Sequence, residues 1–224
     1  MLYTLDHVRE NLRTRDGKRV FFLGTGDQLT SAARDYLQRE RIEILPAAQA
    51  KITRYRGPDG CFYEGKPEFL TQLSGDLLVP KTHPRIVFRG KLDSLEAQLL
   101  LAIRALPEES GALTEILTRV REILRAEVLE TPLEEKPLCG LRQEEIRTRS
   151  QHPQDYFGIP HFMPSPEDPA SVLRLNALRA QVREAELSAA AAFGREREDL
   201  LRALNRLSSL LYVLMLQIKG GSHP

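Results

Sequence analysis

Four long stretches of helical periodicity constrain most of what this chain can fold into. Leu92, Leu95, Leu99 and Ile103 recur at three- and four-residue intervals until Pro107 ends the pattern. Leu113, Ile116, Leu117, Val120, Ile123 and Leu124 form a second stripe, and Val172, Leu175, Leu178, Val182 and Ala185 a third. Leu200, Leu204, Leu207, Leu211, Leu214 and Ile218 form the fourth, and a shorter helical piece over 141–149 lies between the second and third. Helices that each carry an apolar stripe must bury it against one another, so the pattern predicts a helical bundle. Between the shorter piece and the third stripe, prolines 153, 160, 164, 166 and 169 forbid a continuous helix. A loop of that length in a compact domain is often functional.

The first third of the chain reads differently. Arg19-Val-Phe-Phe-Leu23 predicts a short buried strand, and Gly24-Thr-Gly26 the turn that ends it. Thr30 is placed to cap a helix running to about Arg41, and Ile42-Glu-Ile-Leu45 predicts a second strand. A hairpin is predicted over 51–56 and 61–64, because Gly57-Pro-Asp-Gly60 is a strong turn sequence. The predicted fold class is therefore mainly α: a bundle of about five helices over 67–219, a small N-terminal α/β extension over 1–66, and a tail over 220–224.

Composition narrows the function. The 224 residues are 42% hydrophobic, enough to bury a core, which excludes wholesale disorder. Lys+Arg 32 against Asp+Glu 31 leaves a formal charge of +1, so no basic surplus marks a nucleic-acid coat protein. The opening Met-Leu-Tyr-Thr-Leu-Asp-His lacks the cationic-then-apolar pattern of a secretory signal. The longest apolar runs, 210–216 among them, fall short of the roughly 20 residues that cross a bilayer. The expectation is a cytoplasmic protein with no membrane or nucleic-acid partner. Cys61 and Cys139 lie too far apart for a disulfide framework or a metal knuckle, and none of the histidines 7, 83, 152, 161 and 223 has helical metal-site spacing. No protein-held metal is predicted.

Several segments carry chemistry. Gly24-Thr-Gly-Asp-Gln-Leu-Thr30 has the outline of a phosphate loop but lacks the lysine and the third glycine, and a turn followed by a helix cap explains it. A Pro-bracketed, irregular segment carries Lys81, His83, Arg85 and Arg89, four potential phosphate contacts, and runs into the first long helix. On that helix Asp93 sits at the edge of the buried stripe, where an acid needs a partner. Arg179, Arg183 and Glu186 share one face of the third helix at i, i+4 and i+7. Two guanidinium groups about 6 Å apart repel unless something anionic joins them. An Arg183–Glu186 surface pair is the plain alternative. Asn205 and Arg206 interrupt the fourth stripe, with Ser208 and Ser209 in the next turn. His161, beside Phe162 and Met163, stands out in the Pro-rich loop.

Taken together these segments resemble the ATP:corrinoid adenosyltransferases, the ethanolamine-utilisation branch more closely than the propanediol-utilisation branch. Four blocks carry the resemblance over about 68–217: Lys81-Thr-His-Pro-Arg-Ile with Arg89-Gly-Lys-Leu-Asp-Ser-Leu-Glu-Ala97, His161-Phe-Met-Pro164, Arg179 to Glu186, and Leu204-Asn-Arg-Leu-Ser-Ser209. Leu29-Thr-Ser-Ala-Ala-Arg-Asp-Tyr-Leu37 also looks like the N-terminal extension of that branch. The resemblance implies a homotrimer with ATP and corrinoid bound between subunits. It implies transfer of the 5′-deoxyadenosyl group from ATP to cob(I)alamin, with Mg²⁺ bridging phosphates and a reductase supplying the electron that takes cob(II)alamin to cob(I)alamin. It also implies a place in ethanolamine utilisation, in the cytoplasm or a bacterial microcompartment.

Carried over by position, Thr71, Gly75, Asp76, Lys81, Arg85, Arg183, Glu186 and Asn205 would bind ATP. Asp93, Arg179, His161 and Phe162 would shape the corrinoid site, and Arg183, Asp93 and Arg179 would serve the transfer step. Two positions depart from the family pattern: His161 stands where a phenylalanine shields the lower corrin face, and Ser209 replaces an aspartate. Of the His/Cys metal motif that some relatives of this branch carry near the hairpin, only Cys61 remains. A corrinoid delivery or chaperone module with weak catalysis, and a purely structural helical protein, are the competing readings.

Overall fold

The computed structural model describes residues 1–15, 17–49 and 55–220. It divides into two compact units, residues up to His83 and residues from Pro84 onward.

In chain order the first unit contains β1 (Leu2–Tyr3), α1 (Leu5–Glu10), β2 (Arg13–Arg15), β3 (Lys18–Leu23), β4 (Gln28–Leu29), α2 (Ser31–Arg39) and β5 (Glu43–Pro46). It continues with β6 (Tyr55–Arg56), β7 (Phe62–Tyr63), β8 (Leu70–Ser74) and β9 (Leu77–Pro80). Seven of the strands form one mixed sheet in the order β5-β3-β2-β7-β6-β9-β8, while β1 pairs in parallel with β4. Thr30 caps α2, its hydroxyl accepting the Ala33 N–H at 3.3 Å. The amphipathic α2 buries Ala33 and Leu37 in a cluster with Val8, Leu12, Phe21 and Ile42. A second small cluster joins Cys61, Tyr63, Leu70 and Leu78.

The second unit contains α3 (Pro84–Ala105), α4 (Ser110–Val128), α5 (Gln143–Gln151), α6 (Pro153–Phe157), α7 (Ala170–Phe193) and α8 (Glu198–Gly220). The four stripes read from the sequence converge on one apolar core, from Phe88 and Leu92 through Leu113, Leu175 and Val182 to Leu207 and Leu211. The most apolar helix, α8, packs against α7, α5 and α4, and α3 packs against both α4 and α7. Gly194 takes φ +55° and ends α7, its N–H reaching the Ala190 carbonyl. Arg197 then fixes the α7–α8 corner, donating to the Thr131 carbonyl at 2.9 Å and pairing with Asp199. Asp199 in turn accepts the Leu133 N–H at 2.8 Å. Among the described residues no helix is long and apolar enough to cross a membrane.

Two sequence expectations need correction. The chain is not a mainly α protein built on a bundle of about five helices: the described residues hold eight α-helices, a seven-stranded mixed sheet and a separate strand pair. Most of the strands are two to five residues long, and several pair with partners distant in sequence, as β2 does with β7 and β6 with β9. Pairing of that kind leaves no periodic trace in a short window. Thr71 to Asp76 runs from β8 into the β8–β9 turn, with Gly75 at φ +50°. The Pro-bracketed segment is likewise regular from Pro84, which supplies the fixed φ and missing donor that a first helical position tolerates. Arg85 and Arg89 are therefore helical residues.

The expected hairpin is present as β6 and β7, with Tyr55 opposite Tyr63 and Arg56 opposite Phe62. Residues 51–54 of its first strand and 221–224 of the tail, with His223, lie outside the described residues.

Candidate functional site

A cleft of about 810 Å³ opens between α7, α8 and the irregular segment that follows α6. It is lined by His161, Phe162 and Met163 from that segment, Arg179, Arg183, Glu186 and Leu187 from α7, and Asn205, Ser208, Ser209 and Tyr212 from α8. Three of the four resembling blocks thus meet in one place. The reason is local: helical spacing puts Arg179, Arg183 and Glu186 together on the α7 flank beside its buried Leu178, Val182 and Ala185. On α8, Asn205, Ser208, Ser209 and Tyr212 share the flank left by the buried leucines.

The electrostatics of the cleft are lopsided. No described carboxylate pairs with Arg179 or Arg183. The Arg179 Nε is buried without a hydrogen-bond partner, and its guanidinium lies 5.6 Å from the centroid of the Tyr212 ring. Burial, and then Arg183 one turn away, hold the Arg179 pKa below the usual arginine value. The Arg183–Glu186 surface pair does not form: the Glu186 Oε1 accepts from the Asn205 side-chain amide at 3.0 Å instead. Glu186 and Asn205 also line a neighbouring recess of about 530 Å³ with Arg147, Arg202 and Arg206. Burial, then Arg147, hold the Arg206 pKa down as well. Arg202 is paired with Glu198 at 3.0 Å, whereas Arg179 and Arg183 in the main cleft have no described acid bonded to them and make a surface ready for a polyanion.

The segment after α6 is held by rings and hydrogen bonds. Tyr212 stacks on His161 at 5.9 Å with ring planes 7° apart, and on Phe162 at 5.7 Å. Lys219 lies 4.4 Å from the centroid of the Phe162 ring and pairs with Asp168. Phe162 is half-buried against the core, whereas Met163 is 91% exposed at the lip of the cleft. Sequence reasoning missed both Tyr212 and Met163. Tyr212 lies seven residues after Asn205, two turns along the same helix face, and that spacing was the available signal.

The remaining residues singled out from sequence lie elsewhere. Asp93 is exposed on α3 and has no hydrogen bond or ion pair among the described residues, so the Asp93–Arg179 pair does not form within one chain. Arg85 is turned inward. Its Nε donates to the Glu127 carboxylate at 2.6 Å, its Nη1 to Glu130 at 2.7 Å, and its Nη2 to the Glu127 carbonyl at 3.1 Å. Arg89 Nε closes on the other Glu127 oxygen at 2.5 Å. Glu127, fully buried, is thus a brace between α3 and α4 that sequence reasoning did not find. Thr71, Gly75, Asp76 and Lys81 belong to the first unit, at the β8–β9 turn and just beyond β9, with all but Thr71 exposed. There the Gly24 lookalike is filled by its own chain, since the Asp27 carboxylate accepts the Gly24 N–H at 3.0 Å. Among the described residues no three His, Cys, Asp or Glu side chains are grouped to hold a metal ion.

Comparison with known proteins adds to this geometry. The sequence pattern of the cobalamin adenosyltransferase family matches residues 64–218. The corrinoid adenosyltransferase EutT of Salmonella typhimurium is 36% identical over 165 residues, covering 71% of this chain and 61% of the relative. Its counterpart from Escherichia coli is 38% identical over 157 residues, covering 67% of this chain and 59% of the relative. The chain spans about three fifths of the length of these curated relatives.

Proposed function

The chain belongs to the cobalamin adenosyltransferase family, and from that premise we propose that it transfers the 5′-deoxyadenosyl group of ATP to cob(I)alamin. The products are adenosylcobalamin and triphosphate. The observation that carries this reading is the cleft itself, where two unpaired α7 arginines face an apolar and aromatic segment across a shared opening. One wall suits phosphate and the other suits a flat, largely apolar macrocycle.

In the proposed step the cobalt electron pair forms the bond to ribose C5′ as the C5′–O bond to triphosphate breaks. Cob(I)alamin is a strong nucleophile, so the protein's work is alignment and stabilisation of charge on the leaving group. Arg183 is assigned to the departing triphosphate. Glu186 and Asn205, already bonded to each other, would hold the nucleoside side. His161, Phe162 and Arg179 would face the corrinoid. Mg²⁺ would enter with the nucleotide, bridging its phosphates and needing only one or two protein oxygens.

The exposed, unpaired Asp93 and the orphaned Arg179 Nε support a homotrimer in which a neighbouring copy joins them. The identity to EutT proteins supports a place in ethanolamine utilisation.

The test is to supply ATP and reduced cobalamin to the purified chain and follow both adenosylcobalamin and triphosphate. Formation of the two in equal amounts is expected. Tight corrinoid binding with no triphosphate would identify a carrier and overturn the transferase reading.

A further inference from the structure

The segment from 158 to 169, which lines the cleft through residues 161–163, has no strand partner among the described residues, so side chains hold it. Two of its anchors come from one face of α8. Lys219 pairs with Asp168, which also accepts the Ser165 N–H at 2.8 Å. Seven residues earlier, Tyr212 receives the Phe162 N–H on its hydroxyl oxygen at 3.2 Å. The same hydroxyl lies 3.3 Å from the His161 Nδ1, and the His161 Nε2 lies 3.1 Å from the Gln151 carbonyl oxygen.

These contacts restrict the imidazole. A carbonyl oxygen only accepts, so Nε2 must carry a proton toward Gln151. Nδ1 then meets the Tyr212 hydroxyl, which is free to donate because the Phe162 amide already occupies an oxygen lone pair. In the neutral ring, Tyr212 O–H donates to Nδ1. Neither nitrogen is left with an open lone pair toward the cleft.

We infer that Tyr212 is the positioning residue of this cleft: its hydroxyl latches the 161–163 segment to α8 and, with the Gln151 carbonyl, keeps both His161 nitrogens from coordinating cobalt. The proposal rests on the corrinoid reading above only for its consequence. A cobalt(II) corrinoid without an axial nitrogen ligand is easier to reduce, so an imidazole at this position would hinder the reaction unless it were occupied elsewhere. The latch supplies that occupation. It also keeps Phe162 in contact with Tyr212 and Lys219 rather than loose in the opening.

The latch itself is tested on the full chain without any substrate. Long-range proton–nitrogen correlation on histidine-labelled protein reads the ring, with His161→Asn used to assign its signals. The proton is expected on Nε2 at pH 8; a ring protonated on Nδ1 alone would overturn the proposal. Tyr212→Phe, which keeps the ring stack, is expected to speed hydrogen exchange of the Phe162 amide about tenfold. Unchanged exchange would also overturn it.

With substrates, Tyr212→Phe is expected to raise KM for the corrinoid about five- to tenfold while KM for ATP stays put. An equal rise in both would mark a merely structural role and count against the proposal. Labelling histidine with ¹⁵N should leave the electron paramagnetic spectrum of bound cob(II)alamin unchanged in the unaltered protein. If a variant fails to fold, the ring tautomer and that spectrum still decide. A chain that shows the tautomer and the exchange effect but binds no corrinoid would remove the transferase reading and leave the latch standing.

Discussion

Replacing Glu127 by Gln tests the buried brace between α3 and α4. The carboxylate is 0% exposed and neutralises two arginines whose side chains are 18% and 17% exposed. Arg85 keeps Glu130 after the change, whereas Arg89 loses its hydrogen-bonded carboxylate and retains only a weaker charge interaction with Glu130. Breaking a buried ion pair from one side costs about 3–5 kcal/mol. Because Arg85 retains a partner and an amide oxygen can still accept one bond, a loss near the lower end, about 3 kcal/mol, is expected. For a protein of this size that lowers Tm by about 6–12 °C.

Thermal and urea unfolding followed by circular dichroism measure it. The deficit should persist at 0.5 M salt, since buried pairs are screened little. The double variant Glu127→Leu with Arg89→Met should recover a large part of it, because matched apolar groups avoid the desolvation cost. A fall of less than about 2 °C for Glu127→Gln would show that the arginines find water or other acids at little cost, and would refute the brace.

Other expectations follow from the same structure. Arg183→Ala should lower kcat for adenosyl transfer about 10²–10³-fold, the usual cost of one lost donor at a developing charge, with little change in corrinoid affinity; steady-state kinetics decides, and normal turnover would remove Arg183 from the triphosphate. Asp199 is partly desolvated, yet Arg197 and the Leu133 and Leu200 amides outweigh that and hold its pKa below the ordinary aspartate value. Its folded pKa is depressed, so its contribution is present above that value and lost as pH falls toward the folded pKa. Asp199→Asn should therefore flatten the acid limb of a stability–pH curve and lower stability near pH 7. Burial, and then Glu115, push the Cys139 thiol up to about 11; at pH 8 alkylation of the folded chain at Cys139 should be far slower than in urea, and equal rates would contradict the buried placement.

The helices were legible because their signal is local. Stripes of Leu, Ile and Val at 3.6-residue spacing predicted α3, α4, α7 and α8, and those residues are the ones buried. The cap at Thr30 and the turn at Gly57 to Gly60 were legible for the same reason: a side chain or a glycine acts on its own neighbours. So was the face carrying Arg179, Arg183 and Glu186, since helix geometry alone puts them side by side.

Partnership was another matter. Glu127 continues the apolar stripe of Val120, Ile123 and Leu124, an acid where a hydrophobe belongs, but nothing local says that Arg85 and Arg89 from another helix meet it. Glu186 had a plausible neighbour in Arg183 and was given Asn205 from α8 instead. Beyond two strands and a hairpin, the seven-stranded sheet went unseen because backbone hydrogen bonds join strands of two to four residues that lie far apart in sequence. By itself the chain determined which residues form helices and which faces they bury, through propensity and periodicity. Which polar groups bond to which, and so whether an arginine braces the fold or waits for a phosphate, was decided only by tertiary packing, because desolvation and hydrogen bonding depend on neighbours that sequence distance does not record.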